Sequence, residues 1–550
     1  MKARLIVLIA FAFPIQLWAG SATWSASPVD NDWSHRLNWT PHQVPRALPD
    51  SASFAQSSGT QVIANFDVSI AALTFEAGAS AYTISTMGSA TVFLSRGLFN
   101  DSGIEQDFVL TLGDRGKNGS LEFYNYASID PNCVITCEAG ATIYTGELGF
   151  SDHSSAGSAM IINQGCTVPG AYGAHTDLVG HATGGNATFI NNGGAADGAA
   201  GGETNFFDSV TAGDATYINN GGTAAGADGG STELLGSDAA NSTMIANGSA
   251  VPGAQGGRVV FFETTHATTA TLIANGGTNG GEGGTVSFGD QSYGDTARVE
   301  VFGTGVMEDA TTHSKALTIG SLEGDGIVTL NHDHPLSVGG NNMSTTFSGL
   351  LQNPSGGAGS LTKTGSGTLT LTGANTYTGQ TMVGAGTLAV GNASGSATGT
   401  GLVYINIGTL GGSGIVGGPL TIGSGNNGSA TVAPALGGSQ PTTLTAASTL
   451  TFQSNGIYAC TFTASKSKAS ADEVVAKGVT ITPGATFNLT GTGSLKEGSV
   501  LTIISNTSKT PISGTFSNLA DGTILNVNGQ NLQASYEGGD GNDLTLTVVP

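Results

Sequence analysis

The sequence predicts an all-β fold, an elongated stack of parallel β coils, and three observations predict it. A block recurs through the middle of the chain, with Met160, Thr188, Thr216, Thr243, Thr271 and Arg298 as anchors 27 or 28 residues apart. A fixed period in that range marks stacked supersecondary units. The apolar runs inside each block last three to five residues and are rich in Thr, Ile, Phe and Tyr, too short for helices and right for strands. Gly-Gly pairs break the runs, as in Asn192–Gly194 and Asn220–Gly222. Strands at matching positions of successive coils then pair in parallel about 4.8 Å apart, and right-handed crossovers are the rule for such connections.

Composition agrees. Of 550 residues 87 are Gly, charged residues make up 10%, hydrophobic residues 39%, and the formal net charge is −23. So few cations in so acidic a chain exclude nucleic-acid and anionic-membrane binding, which need clustered Lys and Arg. The glycines lack the period of three of collagen. Plentiful Val, Ile, Leu and Phe argue against disorder.

In chain order, residues 1–22 read as a signal peptide. Lys2 and Arg4 precede the apolar stretch Leu5–Leu17, and Ala19, Gly20 and Ala22 offer cleavage sites. That stretch is shorter than the ~20 residues a membrane span needs. No later run is long enough, so an exported chain without an integral span is expected. Residues 23–115 form a Trp-rich cap and the first coils. A solenoid end is an open sheet edge, and Trp24, Trp33 and Trp39 are expected to close it, with carbohydrate stacking as the rival role.

Residues 116–310 hold the 27–28-residue coils, each with a second apolar run: Phe206–Phe207, Leu234–Leu235, Phe261–Phe262 and Phe288. Ile162, Ile190, Ile218, Ile245 and Ile273 share one phase and are expected to form an inward aliphatic column. Two positions on, Gln164, Asn192, Asn220, Asn247 and Asn275 are expected to form an amide ladder, each donating to and accepting from its neighbours. Residues 118–257 contain no Lys or Arg. Asp208, Glu263 and Asp290 fall at nearly equivalent repeat positions, where repulsion places them outward, in water or around calcium.

Residues 311–435 and 436–550 complete the chain. From Gly359 to Asn392, Leu361, Lys363, Gly365, Gly367, Leu369, Leu371, Gly373, Asn375, Tyr377, Gly379, Thr381, Gly386, Thr387 and Leu388 follow the pattern of the autotransporter-associated β-strand repeat, and this stretch closely resembles it. Trp24, Asp32–Trp33, Asn38–Trp39, Val44–Pro45, Asp50 and Phe54 resemble the opening segment of such surface proteins. Asp472–Val475, Gly514–Phe516 and Tyr536–Leu546 resemble their closing β segment. The resemblance implies a right-handed parallel β-helix (pectin-lyase-like), passenger-like, on the outer surface of a Gram-negative-type bacterium or released from it. No translocator barrel follows Asp543, so release, binding to an anchored partner and a truncated sequence stay open.

Chemistry is sparse. The chain has no HExxH and no phosphate-loop lysine motif, and the GxGxxG at Gly423–Gly428 has no helix signal after it. Gly538–Asp543 resembles one calcium nonapeptide repeat but reads as a polar turn, since a lone copy lacks the neighbouring turn that completes the oxygen shell. His332–Asp333–His334 is the best metal candidate, with a solvated loop as its alternative. Asp152–His153, Glu138 with Glu147, and the loop lysines Lys466 and Lys468 are weaker. Arg258 near Glu263 is the one candidate for a lyase base. Cys133, Cys137, Cys166 and Cys460 allow three pairings, none chosen by sequence.

No catalytic, cofactor or metal residue is assigned. The expected function is an exported structural or adhesive rod without catalysis, monomeric, carrying a surface ligand such as a polysaccharide. A carbohydrate-active enzyme, a lyase or a hydrolase, is the alternative. Roughly 20 coils would make a rod about 100 Å long.

Overall fold

A computed structural model describes residues 20–550 apart from 112–118, 141–144, 311–315, 332–333, 355–356, 427 and 465–468. The signal peptide through Ala19, Trp18, His332–Asp333 and Lys466–Lys468 therefore lie outside the described residues. The fold is a parallel β-solenoid. Among the described residues the one helical element is a single 3-10 turn, Arg36–Asn38, and no helix is long and apolar enough to cross a membrane.

Two parallel ladders build the array. One runs from Ala22–Trp24 through Glu147–Phe150, His175–Leu178, Glu203–Phe207, Ser231–Leu235 and Arg258–Phe262 to Leu350–Gln352. The other stacks eighteen strands from Gln61–Ala64 to Thr486–Thr492. Seventeen steps of ~4.8 Å give a stack about 80 Å long. A third side is made by single parallel bridges, Ser155↔Thr183↔Thr211↔Asp238↔His266↔Tyr293. From Thr318 onward this side becomes a full sheet of eight strands, ending at Val479–Ile481.

Both ends depart from parallel pairing. Ala22–Trp24 pairs antiparallel with Trp39–Thr40, and Trp24, Trp33, Trp39 and Phe54 pack ring against ring at 4.9–6.2 Å, edge to face wherever Trp39 takes part. All three tryptophans are buried, so none is available to stack on a sugar. At the far end Val500–Asn506, Asp543–Val549, Gln530–Gly538 and Ile524–Val527 pair antiparallel. Tyr536 pins this closure: its hydroxyl donates to the Leu519 carbonyl at 2.8 Å and accepts from the Phe516 N–H at 3.0 Å. Gly538–Asp543 is the hairpin turn between the last two strands.

The inward aliphatic column expected of Ile162, Ile190, Ile218, Ile245 and Ile273 is in the wrong phase. These residues are half-buried on the outer face. The core receives Ile161, Phe189, Tyr217, Met244 and Leu272, each one position earlier. Both phases of the strand are apolar, and a one-residue slip exchanges its faces. The larger rings take the inside because they meet rings from the opposite sheet, as Tyr217 meets Phe206 at 5.4 Å.

The amide ladder exists as expected. Asn192, Asn220, Asn247 and Asn275 each donate to the preceding amide oxygen at 2.9–3.0 Å, starting from Gln164. A second, fully buried ladder runs beside it. Asn163 Nδ2 donates to Asn191 Oδ1, and Asn191 Nδ2 to Asn219 Oδ1, both at 2.8 Å. Thr176, Thr204 and Thr232 donate to the same three amide oxygens at 2.9 Å. The ladder stops where Ala246 replaces the next Asn, and Asn219 Nδ2 is buried with no partner. Glycine makes the approach possible: a Cβ on Gly202 or Gly230 would lie 2.1–2.2 Å from the carbonyl oxygen of Asn163 or Asn191.

The acids at equivalent positions have a conformational cause. Asp208, Glu263 and Asp290 are exposed, with φ of 63°, 55° and 53°. They continue a left-handed turn column that Gly180 and Gly236 also occupy.

Candidate functional site

A dense titratable cluster lies on the outer face of the first ladder. Register stacks two columns there. One is Ser120, Glu147, His175, Glu203, Ser231 and Arg258; the other is Glu122, Gly149, Asp177, Asn205 and Glu233. Alternate residues of a strand share a face, so the columns stand side by side. Five carboxylates thus meet one imidazole, with a single guanidinium at the far end.

Glu147, His175 and Asp177 offer ligand atoms that all lie within 4.8 Å of one another. His175 Nε2 stands 3.8 Å from Glu147 Oε1. Its other ring nitrogen, Nδ1, lies 3.2 Å from the buried Thr145 hydroxyl. Asp177 Oδ1 accepts from Asn205 Nδ2 at 3.0 Å. Gly149 lets Glu122 close over the group, since a Cβ at Gly149 would collide with the Glu122 carboxylate.

Electrostatics follow from crowding. Burial, then repulsion from Glu147 and Asp177, pushes the Glu122 carboxyl up to about 7. Burial pulls the His175 imidazole down, but Glu147, Asp177 and Glu203 outweigh it and hold the ring above its ordinary value. Asp177 and Glu203 are raised, first by burial. Farther along, a groove of about 230 Å³ is lined by Glu203, Asp228, Ser231, Glu233, Gln255 and Arg258. On the other side Glu122 borders a more open hollow with Phe93 and Tyr124. Next to this face, Tyr126, 76% exposed, stacks on His153 at 4.9 Å, and His153 packs at a tilt against His181 at 5.2 Å.

The residues singled out from sequence fare unevenly. Arg258 shares its groove with Glu203 and Glu233, while Glu263 sits on the exposed turn and is not part of that lining. Glu147 joins His175 and Asp177 rather than Glu138. His153 belongs to the aromatic stack. Gly423, Gly425 and Gly428 take positive φ in a turn, and the Gly425 N–H donates to Asn455 Oδ1 at 2.8 Å. Asp543 of the hairpin accepts from the Asn506 N–H at 2.8 Å. The four cysteines are free and buried. Cys133 and Cys137 share one strand, four residues and so ~13 Å apart, beyond disulfide reach. Burial pushes the Cys133 thiol up to about 12 and raises Cys137 and Cys460 as well.

Sequence reasoning missed the Glu147–His175–Asp177 group. The signal was present: Glu147, His175 and Glu203 are spaced by 28 residues, the repeat period. Polar residues at one phase of a solenoid become neighbours across coils.

Lys363, Asn375 and Tyr377, the polar signature of the 359–392 segment, point inward and serve the backbone. Lys363 is buried and its Nζ donates to the carbonyls of Thr364 and Gly365. Asn375 Oδ1 accepts from the Leu351 N–H at 2.8 Å, and its Nδ2 donates to the Ala397 carbonyl at 2.6 Å. The Tyr377 and Thr381 hydroxyls lie 2.6 Å apart in the core.

The family model of the passenger-associated-transport-repeat matches residues 361–390. No curated protein matches the chain. Among solved structures, the crystal structure of the Haemophilus influenzae Hap adhesin is similar over 91% of this chain at 12% identity and a TM-score of 0.27. This chain spans 64% of the length of that one, less than two thirds. Residues 361–390 thus match the passenger-associated-transport-repeat and lie within a parallel β-solenoid.

Proposed function

We propose that the protein is an exported, surface-displayed or released adhesive rod that acts by binding rather than by catalysis. The observation that carries this reading is the passenger transport repeat embedded in one uninterrupted stack of coils, closed at each end by antiparallel strands. Such a stack fixes side chains in columns along a rigid axis. Its outward columns here are amides, hydroxyls, carboxylates and a short Tyr–His stack, which suit the hydroxyl-rich and aromatic-stacking contacts of a polysaccharide. The five-segment division read from the sequence stands as part of this proposal, as does a monomeric state.

The test uses the full mature chain with a panel of neutral and acidic polysaccharides. Retention of at least one polymer, weakened tenfold or more by Tyr126→Ala, is the expected result. Appearance of new reducing or unsaturated ends, abolished by Arg258→Ala or Glu233→Gln, would replace this reading with a carbohydrate-active enzyme working in the Arg258 groove. Neither retention nor cleavage across the panel would remove polysaccharide as the ligand class.

A further inference from the structure

The geometry points to a divalent transition-metal site at Glu147, His175 and Asp177, where one imidazole nitrogen and two carboxylates from adjacent coils converge. Four observations support it, and none depends on the adhesive reading.

The first is the ligand set. Imidazole with carboxylate suits zinc and its neighbours, whereas calcium and magnesium prefer oxygen alone. The second is spacing. His175 Nε2 and Glu147 Oε1 are 3.8 Å apart, too far for a hydrogen bond. Ligands about 2.0–2.2 Å from one zinc-sized ion stand roughly 3–3.6 Å from each other, so a small inward adjustment of three half-buried side chains completes the set. The third is orientation. The Thr145 hydroxyl holds Nδ1 and thereby turns Nε2 toward the carboxylates, and Asn205 holds one oxygen of Asp177. Metal-binding histidines and carboxylates are held in this way by groups behind them. The fourth is charge. Glu122, Glu147, Asp177 and Glu203 crowd one face, a density of negative charge that a divalent cation offsets. Arg258 lies three coils beyond His175.

The ion would bridge two neighbouring coils, Glu147 from one and His175 with Asp177 from the next. Its outer positions face solvent and leave room for water or an anionic group of a ligand.

The experiment is a Co²⁺ titration of the chelator-treated full mature chain, followed by visible absorption and calorimetry, with Zn²⁺ as competitor. The expected result is an absorption band that saturates with one equivalent, is displaced by Zn²⁺ and not by equimolar Ca²⁺, and raises the melting temperature. His175→Gln is expected to lose that equivalent, with affinity down at least 100-fold. Asp177→Asn is expected to weaken it at least tenfold. His266→Gln, whose imidazole pairs with Asp295 at 3.0 Å on the third side, is expected to leave it unchanged. Circular dichroism of each variant reports folding, and if His175→Gln fails to fold, Asp177→Asn decides. No saturable equivalent in the parent chain, equal binding in His175→Gln and Asp177→Asn, or displacement by equimolar Ca²⁺ would overturn the assignment.

Discussion

The regular array and the transport-repeat region solve the same problem differently. From Met160 to Arg298 every coil of the array has 27 or 28 residues, so a given side chain meets its own copy in the next coil. Buried polarity is then satisfied sideways, amide to amide, by the Asn163–Asn191–Asn219 ladder. In the transport-repeat region the coils vary. Thr345, Leu369, Leu388, Leu410 and Val432 are stacked by steps of 24, 19, 22 and 22 residues. Identical residues still stack on the strands, as Thr368, Thr387, Thr409 and Thr431 do, but turns of unequal length shift what lies above what between them. Lys363, Asn375 and Tyr377 act singly instead, bonding to backbone groups at the turns or to a nearby hydroxyl. Equal coils permit ladders; unequal coils need individual braces.

That contrast breaks down or sharpens under substitution. The largest effect is expected at a brace. Asn375→Ala orphans one buried N–H and one buried carbonyl, which at ~1–3 kcal/mol per group costs about 3 kcal/mol. A urea-denaturation midpoint within error of the parent would show that the braces are dispensable. Next comes the inner ladder. Asn191→Ala removes an acceptor used by both Asn163 and Thr204 and is expected to cost about 2 kcal/mol. Asn219→Ala is expected to cost about half as much, since its amide nitrogen already lacks a partner. Equal losses at the two sites would mean that the ladder does not act as a column.

Lys363 adds a pH signature. Burial holds its ammonium below the ordinary 10.5. The folded state therefore gives up this proton before the unfolded chain does. Between the two values the unfolded chain binds more protons, so this group's contribution to stability rises with pH. The stability of the parent relative to Lys363→Met is expected to rise as pH climbs from neutral toward 10.5, read from paired denaturation curves. A constant gap would place the lysine in water. The smallest effect is expected on the outer ladder, where Asn220→Ala leaves neighbours that water can serve and costs under about 1 kcal/mol in the same denaturation assay. A loss as large as that of Asn191→Ala would erase the distinction between the inner and outer ladders.

Legibility in the sequence follows the same division. The coils, their length and the Gln164–Asn275 ladder are visible because repetition writes them five times over. The inner ladder was also written, as Asn163, Asn191 and Asn219 with a Thr thirteen residues after each, but its burial was not. The three-residue cluster at Glu147 is scattered over thirty-one residues and becomes a cluster only when two coils pair. The transport-repeat signature gave its segment away, yet not that its polar residues face inward.

The chain alone determined that coils of fixed length stack in parallel, because a short apolar strand recurring at one interval has no other way to bury its side chains. Tertiary structure decided which side of each strand is inside. Ile162 and Ile161 are equally apolar, and the pleat allows either phase. The rings of the opposite sheet choose between them, and that choice places Asn163 in the core and Glu147, His175 and Asp177 together at the surface.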